Sequence, residues 1–551
     1  METKLLKLGK FPQPPLRLLC ITLLLLGIVF RLANLDSKVY WGDETFSSSR
    51  IAGYSAEEII GDIYTGQVIS ATELQKYQTP NSDRSLGNTL RIIGEEAPQH
   101  PPVYYILARF WEQWLGSSLA LKRTLPALIS LLGLPCLYWL CLELFGASLT
   151  PWLAVSLFAV SPIHILYAQE VREYSLWTVS ILLSSASLLR AMRVNSRVSW
   201  CIYALSVALA FYSHLFSAPI ILGHGIYVLI IAGWQGRKRV IAYICAVTAA
   251  LLIFSPWLAV FLENEPRASK EWGWVIKELP PLDLGRYWLK NLLYGFFDVP
   301  LGKEYPFDLT FSYTQPRTYL VLPIVGLVIY GLYFLCRYTP KQVWLFVLLL
   351  MGFTSLPLVL PDVISGGMRS TIARYQLPTY IGIQLTISYL LSTKLTKFSI
   401  GIWQKRLWRL TTVILVSCGV ISGVLIVQAE TWWTKYSDYY NTDVANIINQ
   451  SPAPLVLSDS THNRILSMSH KLDPKVKLQL IKKIKNISEI PEEKLPKISG
   501  NFSDVFVLEN IPSPSLLRPS IEKHSNYKFN LIYEGNIGFK KRKVLLWKKI
   551  D

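Results

Sequence analysis

The sequence predicts a polytopic α-helical membrane protein: a transmembrane bundle of about 11 helices with a large first external loop and a small C-terminal external α/β domain. Three observations carry this. Of 551 residues, 51% are hydrophobic and only 17% are charged, where a soluble domain holds roughly 25% charged residues. Apolar runs close to 20 residues recur along most of the chain, the length that crosses a bilayer as helix. Lys and Arg collect between those runs, as they do in cytoplasmic loops. A disordered chain, a coiled coil and an ordinary cytosolic enzyme are excluded. The net charge of +18 is a loop property rather than a nucleic-acid footprint, so no nucleic-acid partner is expected.

The elements follow in order. Lys4, Lys7, Lys10 and Arg17 precede an apolar run, Leu18–Phe30. No small-residue cleavage site follows at once, so this reads as an uncleaved first span with its N-terminus in the cytoplasm. Residues from 35 to about 118 form the first external loop. It holds two amphipathic stretches, Thr45–Ile63 and Val103–Leu115, that suit helices lying along the membrane surface. Spans are then expected over Leu125–Leu144, Trp152–Leu166, Trp177–Leu189, Cys201–Phe216, Pro219–Ala232 and Ala242–Phe261. A second external loop covers about 262–316. Tyr319–Leu335, Val343–Leu360, Leu377–Leu391 and Val413–Val427 complete the set. All 7 cysteines lie in or at the edge of apolar runs, without metal-finger spacing, and read as small packing residues.

Trp432-Trp433 looks like an interfacial anchor. Residues 1–433 are thus assigned to the membrane domain and 434–551 to an external soluble domain. There the short apolar runs Pro454–Leu457, Val505–Leu508, Asn530–Tyr533 and Val544–Trp547 mix strand and helix signals. Asn486-Ile487-Ser488 and Asn501-Phe502-Ser503 match the glycosylation sequon, a weak signal.

The spans hold few ionisable groups, whereas distinctive polar residues gather at their external ends. They are Asp43-Glu44, His100-Pro101-Pro102, Gln169-Glu170 with Arg172 and Tyr174, His214, and Arg369 with Arg374-Tyr375. A carboxylate such as Asp43 can take a proton from an attacking hydroxyl or bind a metal; equally, Asp43 or Glu44 can simply open the helix that follows. His100 can meet a phosphate or sit in the interface beside Tyr104 and Tyr105. Arg172 stands at an external helix start, where it opposes both the helix dipole and the positive-inside bias, so an anion is the natural partner. Arg369 and Arg374 suit a phosphate headgroup, or snorkel as a pair. Trp272 and Trp274 of the second loop suit a sugar or the membrane surface, the latter being the commoner use. His224, within a span, reads as a core histidine.

On these residues the chain resembles the polyprenyl-phosphate-dependent membrane glycosyltransferases of the GT-C superfamily. It is similar above all to bacterial relatives of the protein O-mannosyltransferases (glycosyltransferase family 39-like) and to the lipid A aminoarabinose transferases. The resemblance is carried by Asp43-Glu44, His100-Pro101-Pro102-Val103-Tyr104-Tyr105, Arg123-Thr124-Leu125-Pro126, Leu144-Phe145-Gly146, Ser161-Pro162, Gln169-Glu170 with Arg172 and Tyr174, and Arg374-Tyr375 with Leu377-Pro378, over roughly residues 16–390. The resemblance implies a catalytic acidic residue in the first external loop, which Asp43 matches, and Glu44 matches the second member of the Asp-Glu pair of the protein mannosyltransferases. His100 stands where the aminoarabinose transferases have a lysine. It further implies a sugar donor on polyprenyl phosphate, a protein, lipid or polysaccharide acceptor, and catalysis on the external face of the plasma membrane.

In that reading Asp43 is the base, with Glu44 and Glu170 orienting it or the acceptor. His100, Arg172, Arg374 and Arg369 hold the donor phosphate, and Tyr104, Tyr174, His214 and Tyr375 contact substrate. The residues leave a divalent metal ion beside Asp43 and Glu170 open, since the arginines can neutralise a phosphate without one. A lipid or glycan transporter without chemistry is the alternative. Such proteins place ionisable sites near the bilayer midplane and often carry repeats, and neither is evident here.

Overall fold

The computed structural model describes residues 14–146, 149–233, 236–266, 273–300, 319, 321–396, 401–483, 498, 500–511, 515–537 and 542–550. The lysines at 4, 7 and 10, Trp272, the Trp274 side chain and the Asn486 sequon lie outside the described residues.

The chain begins with α1 (Pro14–Leu32). The long connection after α1 holds α2 (Gly42–Ala52), α3 (Ala56–Ile63), strand β1 (Thr65–Ser70), α4 (Leu86–Glu96) and α5 (Val103–Leu115). Then come α6 (Leu119–Phe145), α7 (Thr150–Ala159), α8 (Pro162–Ala168), α9 (Tyr174–Val194), α10 (Arg197–Ser213), α11 (Ser217–Ala232) and α12 (Arg237–Glu263). The second loop contains α13 (Pro281–Leu293), and α14 (Val321–Tyr338), α15 (Lys341–Ser365), α16 (Leu377–Thr396) and α17 (Ile402–Gln428) follow. Each predicted span overlaps one of these helices, with Trp152–Leu166 falling on the pair α7–α8, but fewer than the about 11 expected qualify as membrane spans, α10 and α11 being among the shorter apolar helices. Among the described residues six helices are long and apolar enough to cross a membrane, or seven if α7 and α8, bent by 56°, count as one.

The bend between α7 and α8 shapes the site. Arg31 of α1 is fully buried and donates to the carbonyls of Ala159 at 2.6 Å and Phe158 at 3.2 Å. It thereby satisfies carbonyls that the end of α7 leaves without intrahelical partners. Gly27 makes this approach feasible, since a Cβ there would stand 2.7 Å from Ala159 Cβ. Gln169, after α8, donates in turn to the carbonyls of Phe30 (2.8 Å) and Ala33 (3.1 Å) at the end of α1. The turn carrying Glu170, Arg172 and Glu173 is therefore tied to the exit of the first span.

The stretch Thr45–Ile63 differs from its expectation. It forms two helices, broken at Gly53 in the left-handed region (φ 88°), and α2 is buried rather than laid on the membrane surface. A helix rich in Ser and Thr can be buried because its hydroxyls bond back to its own carbonyls. Thr45 does so to Gly42, Ser47 to Asp43 and Ser49 to Thr45. Helix α5, by contrast, buries Tyr104 and Tyr105 and exposes Leu107, Phe110, Trp114 and Leu115, the two faces that an interfacial helix needs.

Beyond α17 lie α18 (Asn441–Asn449), β2 (Pro454–Ser458), α19 (His462–Ser469), β3 (Lys477–Ile481), β4 (Asp504–Ile511), α20 (Leu517–His524), β5 (Lys528–Ile537) and β6 (Arg542–Ile550). The four apolar runs read from the sequence each fall on a strand. The six-stranded sheet has the order β1-β3-β2-β4-β6-β5, parallel over β3-β2-β4 and antiparallel elsewhere. Its edge strand β1 comes from the long connection after α1, Ile69 opposing Leu478. Helix α19 packs directly on α2. The Thr45 hydroxyl lies 3.3 Å from the Asn463 carbonyl, Ser467 bonds the Tyr40 carbonyl, and the rings of Phe46 and His462 meet edge-on at 5.7 Å.

Candidate active site

Two charge clusters lie back to back on α2, and the adjacent residues Asp43 and Glu44 divide between them.

Glu44 faces inward. Its side chain is wholly buried and takes a bidentate fork from Arg123, with both N–H···O distances 2.8 Å. It also accepts from Lys435 Nζ at 2.7 Å and from the Val171 backbone N–H at 3.2 Å. It closes a capping box by accepting from the Trp41 N–H, so the helix-opening reading of the sequence applies to it. Burial pushes its carboxyl up, but Arg123 and Lys435 outweigh this and hold it down at about 2. Arg123 spends its remaining N–H groups on the carbonyls of Leu35, Lys38 and Val39. The ion pair thus fixes the chain between the first span and α2.

Asp43 faces outward. Its side chain keeps 28% exposure and one ion-pair partner, Arg374, at 2.9 Å. The guanidinium of Arg374 also lies 5.9 Å from the Tyr174 ring, and that of Arg172 lies 5.7 Å from the same ring. The two arginines thus flank one buried tyrosine. Arg172 donates to Ser47 of α2 at 3.2 Å and pairs with Glu173 at 3.4 Å. Glu173 is buried and takes His100 Nδ1–H at 2.8 Å. Burial opposes ionisation there, yet Arg172 and His100 hold the Glu173 carboxyl well below its usual range. Burial pushes the His100 imidazole below its ordinary range, against the pull of Glu173 and with the help of Arg172. With Nδ1–H on Glu173, His100 Nε2 is left to face the Arg172 guanidinium at 3.4 Å. His100 therefore steadies Arg172 through Glu173.

The other predicted residues fall as follows. Arg369 is turned to Asp362, 2.9 Å away, and to the Gly366 carbonyl, so it is committed within its own loop rather than joined to Arg374. Tyr375 stacks on Phe216 with centroids 5.4 Å apart. His214 is buried, stacked on Trp177 at 4.5 Å, and its Nδ1 accepts the Phe216 N–H. Tyr104 is wholly buried against Tyr105. His214 and Tyr104 thus pack beneath the site. His224, buried between Tyr203 and Phe346, is the core residue expected. Among the described residues no group of three His, Cys, Asp or Glu side chains could hold a metal ion.

Glu170 is the anomaly. It is 1% exposed, and among the described residues neither carboxylate oxygen has a well-formed hydrogen bond; the Thr434 hydroxyl and Lys435 Nζ, the latter at 3.9 Å, are its favourable neighbours. Burial, only partly offset by Lys435 and reinforced by Glu44 and Asp43, pushes it up to about 7. The folded state therefore holds a proton that the unfolded chain releases near the ordinary value, so stability falls as pH rises between about 4.5 and 7. Glu170→Gln is expected to flatten that decline. Thermal unfolding midpoints measured from pH 5 to 8 will separate the two proteins progressively toward pH 8.

Glu173, Arg123 and Lys435 were not singled out as site residues by the sequence. Glu173 adjoins Arg172, and Arg123 lies in a quoted motif, so both were visible as neighbours. Nothing local marks Lys435.

Residues 99–259 match the family model of the dolichyl-phosphate-mannose-protein mannosyltransferases. No curated protein sequence matches the chain. Among solved structures, ArnT from Cupriavidus metallidurans bound to undecaprenyl phosphate is similar at a TM-score of 0.53 and 11% identity, covering 96% of this chain and 97% of that one. The same enzyme in the apo state gives 0.53 and 12%, with the same coverage. The Archaeoglobus fulgidus oligosaccharyltransferase matches at 0.48 and 11%, over 84% of this chain and 64% of that one. The matched segment 99–259 contains His100, Arg123, Glu170, Arg172, Glu173 and His214, which are the floor of the site on α2. Residues 99–259 thus match the mannosyltransferase family model, and the overall fold is similar to that of ArnT.

Proposed function

We propose that the protein transfers a sugar from a polyprenyl-phosphate-linked donor to an acceptor hydroxyl on the external face, in one displacement that inverts the anomeric carbon. The observation that carries this is the Asp43–Arg374 pair. Asp43 is the one carboxylate of the cluster with an open face, and its partner is an arginine flanked by a second arginine. A base and an anion site thus adjoin, as transfer from a sugar phosphate requires. The undecaprenyl phosphate bound in the similarly folded ArnT supports the lipid phosphate as donor.

In this mechanism the acceptor hydroxyl approaches Asp43 from outside. Its oxygen attacks the anomeric carbon as the bond from that carbon to the phosphate oxygen breaks. The proton passes to Asp43 and the electron pair leaves with the phosphate, giving the glycosylated acceptor and polyprenyl phosphate. Glu44 is too fully engaged to serve as a second nucleophile, which favours single displacement over a glycosyl-enzyme intermediate. Arg374 and Arg172 stabilise the departing phosphate, and His100 and Glu173 hold Arg172 in place. Glu170 orients the acceptor or the sugar. The acceptor is a protein, lipid or polysaccharide.

Release of polyprenyl phosphate from a panel of polyprenyl-phosphate sugars by purified protein, with candidate acceptors present, tests the reading. Absence of release from every donor by folded protein would favour the transporter. Arg374→Gln removes both a phosphate contact and the partner of Asp43. A loss in turnover on the order of 10²–10³ is expected, while Arg369→Gln, which removes only a loop contact, stays within a few fold.

A further inference from the structure

Lys435 lies beyond the last span, in the short segment Trp433–Asp438, and its side chain is only 2% exposed. The segment is pinned on both sides of it. Trp432 and Trp433 each donate their indole N–H to Asp298 of the second loop, at 2.8 and 2.7 Å. Asp438 accepts the Gly42 N–H at 2.9 Å. The backbone leaves helical geometry at Lys435 itself (φ −108°, ψ 26°). Its ammonium lies over the Trp41 ring and reaches Glu44 Oε2 at 2.7 Å.

Glu44 does not need this cation, because Arg123 already engages both of its oxygens. Of the three donors an ammonium carries, Lys435 uses one on Glu44. Glu170, whose two oxygens lack a well-formed hydrogen bond among the described residues although the Thr434 hydroxyl adjoins them, stands 3.9 Å away on the same side. A surplus donor thus faces a surplus acceptor, both buried, beside the helix that carries Asp43. An arrangement serving the fold alone would leave neither, since an unsatisfied buried polar group is costly.

We propose that Lys435 is a positioning residue of the catalytic centre: its ammonium is the shared counter-ion of Glu44 and Glu170 and makes the segment after the last span an obligatory part of the site. This rests on the transferase reading above. Lys435, like the buried Lys38 that also interacts with Glu44, comes from outside the segment matched to the mannosyltransferase family. It holds α2 and the Glu170 turn at a fixed separation, and through them the direction of Asp43.

The test is Lys435→Ala in the full-length protein, assayed for sugar transfer with and without ethylammonium ion, which fits the space the side chain vacates. Lys435→Met, which fills that space without charge, is the control. Transfer by Lys435→Ala is expected to fall about 100-fold, the scale of a misplaced catalytic group, with the KM for donor little changed. Ethylammonium should restore it at least tenfold, and should leave Lys435→Met unrescued. The proposal is overturned if Lys435→Ala retains activity within about threefold of the unmutated protein. It is equally overturned if lost activity comes with a collapsed unfolding temperature and no rescue. An unmutated protein that transfers no sugar would instead defeat the transferase reading.

Discussion

Asp43→Asn is expected to abolish sugar transfer, by a factor of about 10²–10⁴, while the protein remains folded and keeps its affinity for donor. The expectation follows from how little else Asp43 does. Its side chain has a single ion-pair partner and 28% exposure, and a partly exposed pair contributes only about 0–1 kcal/mol. Asparagine preserves its size and one acceptor oxygen toward Arg374, but cannot take a proton from the acceptor hydroxyl. Polyprenyl phosphate release should therefore disappear, while the thermal unfolding midpoint moves by no more than a few degrees. If release persists unchanged, the base lies elsewhere and Glu170 is the next group to replace. If release and unfolding temperature fall together, the side chain is architectural and the proposed division between Asp43 and Glu44 fails.

That division was only half legible in the sequence. The spans were readable because lipid demands long apolar helices with charged ends, and hydropathy and charge bias report both within a local window. The expectation that Asp43, Arg172 and Arg374 share one end of the bundle came from the same bias. The pairing of Asp43 with Arg374 crosses 331 residues and has no local signal. Adjacent Asp43 and Glu44 look alike in sequence. Their fates diverge because successive helix positions point about 100° apart, one toward Arg123 and the other toward the opening. The strands of the C-terminal sheet followed from short apolar runs, yet β1 was missed. Thr65–Ser70 is short, holds only two apolar side chains and is half exposed, and only its pairing with β3 makes it a strand. Lys435 was unreadable for a related reason: after two tryptophans a lysine reads as a surface anchor, and only the return of the chain onto α2 buries it.

The second large effect is expected where the first is absent. Arg123→Ala should destabilise the protein by about 3–5 kcal/mol, the cost of leaving a buried ion without its partner. Both partners are inaccessible to solvent, and Arg123 also donates to three carbonyls between the first span and α2. The substitution therefore orphans those carbonyls and strips Glu44 of its bidentate partner, leaving it Lys435 and the Val171 N–H. Arg123→Lys should recover only part of the loss, since one ammonium cannot reproduce a bidentate fork and three further bonds. The check is the unfolding temperature and the yield of extracted protein, read beside a double variant, Arg123→Met with Glu44→Gln. Removing both charges spares the protein a buried carboxylate that has lost its bidentate partner, so the double variant should be more stable than Arg123→Ala, although Lys435 then loses its closest partner. It should still be a poor enzyme, because α2 would no longer be fixed against the first span and Asp43 would lose its direction toward Arg374. A double variant less stable than Arg123→Ala would show that Glu44 holds the fold through Lys435 and the Val171 N–H rather than through Arg123.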